Sequence, residues 1–263
     1  MPNMSHRRIM RPGQLGAGYT GDDGIGMYQP LSYIIEDCII DFSGLSLDEQ
    51  DEAVGVTWGA SATFRRCVIK GAGKLILCGS GDKDKVNIEA QKRVMFYDCV
   101  FEDFGRRGPE VQNGMHATLH NCLIKNWGMP DRFMVRNFGS WAHRYGRIDA
   151  IGCVYWQDSF WRPLRQFCAD LAGHIGQAWN DEGICGLLRL STWIPGVCKG
   201  LYATDGGEAH AWQCWKNRWW IMLPWRHTTA SMDKKDALCM KRYLENMAAE
   251  LEAELPREGT NAA

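Results

Sequence analysis

Five cysteines recur inside near-identical short segments, and no other feature of the chain limits its fold as tightly. The segments are IIEDCIIDF around Cys38, TFRRCVIKG around Cys67, MFYDCVFED around Cys99, TLHNCLIKN around Cys122 and DAIGCVYWQ around Cys153. Polar residues lead into the Cys, and two apolar or aromatic residues follow it. The intervals between the cysteines are 29, 32, 23 and 31 residues. A period of that size, with connections of variable length, is the mark of a solenoid built one coil at a time. The segments are short, rich in β-branched and aromatic residues, and bounded by Gly, Asp or Asn, so they predict strands. Alternation sends Cys67 and Ile69 to one face of a strand, and Cys122 and Ile124 likewise. One small hydrophobe per coil suits a stacked interior ladder. These thiols are therefore expected to pack rather than to ligate metal or react.

Further strands are predicted at Val54–Trp58, Lys74–Gly79, Val86–Ala90, Pro109–Gly114 and Phe133–Phe138. A repeat of strand and turn with almost no helical period argues for an all-β fold, a parallel β-helix, rather than a doubly wound sheet. Residues 1–20 are irregular and predict an N-terminal cap or arm; residues 21–158 carry the repeats. Residues 159–263 form an extension that packs on the β-helix or caps it. Within it, Pro163–Asn180 has helical spacing, and five Trp fall between Trp212 and Trp225. Asp233–Leu255 predicts an amphipathic helix stopped by Pro256, suited to cover an open end of the solenoid.

Composition removes several function classes. Hydrophobic residues make up 45% of the 263, so there is ample apolar surface for a core. Thirty basic residues against 31 acidic ones give no general pull toward nucleic acid. No apolar run approaches a membrane span, and no signal peptide is visible at the N-terminus. The 11 cysteines include no C-x-x-C pair, which speaks against a zinc site. Gly16–Gly21 spells GxGxxG without a preceding strand, and Gly73-Lys74 lacks the Ser or Thr of a phosphate-binding loop. His174 on a predicted helix is expected to be a surface or packing residue.

Four stretches, taken in order, resemble the pectate lyases of polysaccharide lyase family 1. Asp23 to Cys38 is similar to that family's run from a calcium-binding Asp into a W-I-D-H-C strand. Asp51 to Ser61 resembles its second calcium segment, and Gly71 to Asp82 its H-D-K-x-x-L-I-G-S-S-D turn. Arg107-Gly108-Pro109 matches the R-x-P of its R-x-P-x-x-R motif. The resemblance covers about residues 21–158 and implies a right-handed parallel β-helix. It also implies calcium-assisted β-elimination of polygalacturonate or a related acidic polysaccharide, outside the cell.

Carried over by position, Arg107 is the expected catalytic base and Lys74 the group that binds and neutralises a substrate carboxylate. Arg106 and Gln112 are further substrate-binding candidates. Asp23, Asp51 and the neighbouring Asp22 are the candidate Ca2+ ligands. The residue types suit the chemistry. A proton α to a carboxylate becomes acidic only when the developing enolate-like charge is neutralised by metal or cationic groups. Calcium wants several hard oxygens. A neutral Arg needs a strongly cationic neighbourhood or a proton lost on substrate binding. Two positions depart from the pattern. Gln112 stands where the family has a second Arg, and Gly55 where it has an Asp ligand. Two other readings stay open: a non-catalytic carbohydrate-binding β-helix, with the Trp cluster as stacking faces, and a phage-tail-like structural protein assembling through the tail helix.

Overall fold

The computed structural model describes residues 3–9, 23–28, 31–45, 51–80, 89, 92–127, 140–142, 146–156 and 234–255. Seventeen strands and one helix lie among these residues. Every strand pairing among them is parallel, and each strand pairs with its counterpart one coil away. The result is a parallel β-helix with three sheets. The first sheet holds β1 (Asn3–Ser5), β4 (Ser32–Glu36), β7 (Ser61–Arg65), β10 (Arg93–Tyr97), β13 (His116–His120) and β16 (Arg147–Ile151). The second holds β2 (Arg8–Ile9), β5 (Ile39–Asp41), β8 (Val68–Lys70), β11 (Val100–Phe104), β14 (Leu123–Trp127) and β17 (Val154–Trp156). The third holds β3 (Ile25–Met27), β6 (Glu52–Val56), β9 (Lys74–Cys78), β12 (Glu110–Val111) and β15 (Trp141–Ala142).

The cysteine segments are not single strands. Each is two strands meeting at a corner, where one residue takes a left-handed backbone. Those residues are Asp37, Arg66, Asp98, Asn121 and Gly152, with φ between 50° and 64°. Asp, Asn and Gly are the types that visit this region most easily, and they stand before four of the five cysteines, with Arg66 the exception. The Cys then points inward, and all five are buried. The Cys67 thiol donates to the Arg65 carbonyl at 3.2 Å. Burial pushes the Cys67, Cys78 and Cys122 thiols up from their ordinary value, so they stay neutral packing groups.

Side chains stack inside the solenoid by register. Ile35, Phe64, Phe96, Leu119 and Ala150 form one interior column of the first sheet. The Phe64 and Phe96 rings are stacked with centroids 5.0 Å apart, and Phe101 meets Phe96 edge-on at 5.2 Å. The two apolar residues after each Cys divide between faces. Ile40, Ile69, Phe101 and Ile124 enter the core. Ile39, Val68, Val100, Leu123 and Val154 form a second apolar cluster, on the other side of the sheet.

That outer column is covered by α1 (Lys234–Glu254). Leu244, Met247, Leu251 and Leu255 sit three or four residues apart, so they share one helix face, and they pack on the column. Charges fix the helix along the sheet. Lys241 lies over the Trp156 ring at 4.8 Å, and Lys125 is 3.3 Å from Glu245. Glu252 holds Lys70 at 2.6 Å and Arg8 at 2.7 Å. From Lys241 to Glu252 a helix advances about 16 Å at about 1.5 Å per residue. The three strand steps from β17 to β8 span about 14 Å at about 4.8 Å each, so the helix runs down the stack. It therefore lies along a flank of the solenoid, not across an open end as the sequence suggested. Residues 3–9, expected as a cap or arm, instead supply the first two strands. The predicted strand at 133–138, the helix at 163–180 and the Trp cluster lie outside the described residues. So does Val86–Ala90 apart from Glu89, which is not in a strand. Its fully buried carboxylate accepts N–H groups from Trp58 at 2.7 Å and Ser80 at 2.9 Å and the Asn113 amide at 3.0 Å, joining three coils.

Candidate active site on the third sheet

The third sheet begins with charged residues. The register aligns Glu52 with Lys74, and Lys74 forms a parallel bridge with Arg106. Asp23 precedes β3 and Asp51 precedes β6. Gly24 N–H donates to the Glu52 carbonyl at 3.1 Å, which brings the first two levels together. Arg107 sits at the next corner with a left-handed φ of 65°, and its carbonyl accepts the Ile76 N–H at 2.7 Å. Residues from four levels of the stack thus meet at the edge where the chain enters this sheet.

Asp23, Asp51 and Glu52 each place a carboxylate oxygen within 4.8 Å of the others. Asp23 and Glu52 are buried; Asp51 is partly exposed. Asp23 is held from two sides. Its Oδ1 accepts the Glu52 backbone N–H at 3.1 Å, and its Oδ2 accepts the Tyr28 hydroxyl. Lys74 pairs with Asp51. The Arg107 Nη1 pairs with Glu52, and its Nε lies 2.8 Å from Glu110 Oε2. Four carboxylates therefore surround two paired cations.

The sequence-derived residues Asp23, Asp51, Lys74 and Arg107 come together on one face. Arg106 lies at its edge, buried, beside Lys74. Gln112 is buried, and its Nε2 donates to the Gly79 carbonyl at 2.9 Å, tying one coil to the next. Asp22 lies outside the described residues. Sequence reading missed Glu52, Glu110 and Tyr28. Glu52 is adjacent to Asp51 and Glu110 is three residues after Arg107, but their roles emerge only when coils stack. Gly55 also takes on a new meaning. A Cβ there would stand 2.5 Å from Asp23 Oδ2, so the space is filled by a carboxylate from the previous level. An Asp at position 55 would displace Asp23 rather than add to it.

The Arg107 setting is anionic, opposite to the cationic neighbourhood that a basic Arg calls for. The triad itself suits a hard cation, because all three donors are carboxylates and two are held in place by burial. Among the described residues it is the one group of His, Cys, Asp or Glu close enough to hold a metal ion.

No known protein family and no curated protein matches the chain. Among solved structures it is similar to "Pectate Lyase C from Erwinia Chrysanthemi at pH 9.5 with 30mM Ca2+", with 13% identity and a TM-score of 0.33. The match covers 56% of this chain and 49% of that one, so the chain spans about half the length of that protein. The parallel β-helix rests on the strand pairing itself, independently of this likeness.

Proposed function

We propose that the chain is a polysaccharide lyase that cleaves an acidic polysaccharide of the polygalacturonate type by β-elimination on the outer face of the third sheet. One observation carries the reading. Asp23, Asp51, Lys74 and Arg107, picked from four separate stretches of sequence, meet at one edge, with Lys74 paired to Asp51 and Arg107 to the neighbouring Glu52. A solvated set of turn residues has no reason to do so.

In this reading Lys74 pairs with the uronate carboxylate and orients the sugar. Arg107 takes the proton from C5. The C5–H electron pair becomes the C4=C5 bond, the C4–O bond breaks, and the leaving oxygen takes a proton from water. Arg107 rests as a cation between two carboxylates, so it must first hand on a proton. That proton would go to solvent once a bound cation offsets the surrounding carboxylates. Asp23, Asp51 and Glu52 would hold calcium, which when bound supplies positive charge against the uronate carboxylate and the enolate-like charge at C5. A site with more carboxylates than cations repels a polyanion, so activity is expected to need the metal. The site of action in this reading is outside the cell. No described helix is long and apolar enough to cross a membrane.

The test is ultraviolet absorbance from unsaturated uronate with polygalacturonate and calcium. Arg107→Ala is expected to lower the rate by about 10²–10⁴-fold, the range for loss of a general base. No absorbance gain across several uronate polymers, at neutral and alkaline pH, would sink the proposal.

A second reading, a carbohydrate-binding β-helix without activity, is favoured by the commitment of Lys74, Arg107 and Gln112 to partners within the protein. Binding of polygalacturonate with no product would select it. Assembly through the tail helix loses its sequence support, because the apolar face of α1 is spent on the second sheet.

A further inference from the structure

The corner from the third sheet to the first takes the same tight turn in two coils, and one of the two holds a residue ill suited to it. In residues 112–115 the Met115 N–H donates to the Gln112 carbonyl at 3.2 Å. The two central residues, Asn113 and Gly114, are left-handed, with φ of 55° and 75°. That is a type I′ turn, for which Asn-Gly is a preferred pair. Residues 57–60 repeat it. The Ala60 N–H donates to the Thr57 carbonyl at 3.1 Å, and φ is 56° at Trp58 and 86° at Gly59. Val56, Cys78 and Val111 are in register across three coils, so Trp58 stands where Asn113 stands two levels on. A bulky side chain strains a left-handed position. Among the described residues no Phe or Tyr has a positive φ, and Trp58 is the one Trp that does.

The strained turn is anchored from within. The buried Glu89 carboxylate accepts the Trp58 N–H at 2.7 Å and the Asn113 amide at 3.0 Å, so one group fixes both turns. Core packing does not account for the indole, because Trp58 is 47% exposed. Leu31, 45% exposed, lies at the same corner, where its carbonyl accepts the Ser61 N–H at 2.9 Å. We infer that Trp58 is a stacking platform for a sugar ring of the polymer, presented at the far end of β6 from the acidic cluster. The inference rests on the reading of the third-sheet face as a site for an acidic polysaccharide. An indole covers the apolar C–H face of a pyranose without adding charge. The cluster holds four carboxylates against two paired cations, so away from a bound metal an anionic chain gains most from an uncharged contact. Glu52 opens β6 and Trp58 lies six residues on, about 20 Å at about 3.3 Å per residue. A polymer lying along β6 spans both places; a single sugar does not.

The test pairs urea unfolding with affinity electrophoresis of the full chain in gels containing polygalacturonate and calcium. Trp58→Asn copies the turn at 112–115, so it is expected to raise the unfolding midpoint. The same change should weaken retardation by the polymer about two- to tenfold, the range for loss of one aromatic contact. Trp58→Tyr keeps an aromatic face and should keep most of the retardation. Equal retardation of wild type and Trp58→Asn would overturn the platform and leave the lyase reading to the absorbance assay. A lower midpoint for Trp58→Asn would overturn it as well, because the indole would then be serving the fold. Absence of retardation of the wild type by polygalacturonate and other uronate polymers would overturn the platform together with the polysaccharide reading on which it rests.

Discussion

The outer faces of the second and third sheets use the same charges in opposite ways. On the second sheet, Lys70 and Lys125 reach up to Glu252 and Glu245 of a helix whose apolar face covers the strands. The ion pairs there set where the helix sits, and burial of Leu244, Met247 and Leu251 holds it. On the third sheet, four carboxylates and two cations pack at the strand entrances, with no described helix over them. Glu52 and Glu110 are 6% and 5% exposed in their side chains, and both pair with Arg107. Burying that many carboxylates costs stability, and a face that carries the cost with no described helix over it is the one to suspect of chemistry.

Arg107→Met would break this contrast most sharply. It strands two buried carboxylates and is expected to destabilise the fold by about 3–5 kcal/mol in denaturant unfolding. A change below about 1 kcal/mol would show the cluster to be solvated like any surface pair. Leu244→Ala on the covered flank removes buried packing under the helix, with an expected loss of about 2–5 kcal/mol. Proteolysis should then release the segment 234–255 before the solenoid unfolds. The helix seat also has a pH signature. Glu252 is held below the ordinary glutamate value of 4.5 by Lys70 and Arg8, against the opposing push of desolvation. A lowered value in the folded state means the contribution is complete above pH 4.5 and fades as the pH falls below it. Loss of helix protection in hydrogen exchange below that point, ahead of the first-sheet strands, is the expected result. Arg65→Ala should do least. Its pair with Glu36 on the first sheet is 57% and 30% exposed, and the change should stay under about 1 kcal/mol.

The solenoid was legible because a corner has strict local needs. One residue must take a left-handed backbone, the next must be small enough to turn inward, and the pattern then repeats once per coil. The flank that binds α1 was also written in the sequence. Two successive apolar residues after every Cys mean that both sheet faces are buried, while the amphipathic tail was expected over an open end of the solenoid. What hid the match is that helix seats depend on the distance between stacked strands, which no linear spacing displays. The candidate site was legible where a residue type had to stand at a fixed place in a coil, as with Asp23, Asp51, Lys74 and Arg107. It was opaque where partners come from different coils. Glu110 and Glu52 bracket Arg107 from two levels apart, and Gly55 is required by a side chain 32 residues earlier.

The central claim is that the third-sheet face performs elimination. Mass spectrometry of polygalacturonate incubated with the wild-type chain and calcium tests it directly. Oligouronates carrying a new C4=C5 bond, each lighter by one water than the hydrolytic fragment of the same length, are expected, and chelator or Arg107→Ala should abolish them. Saturated fragments, or polymer bound but left whole, would contradict the account.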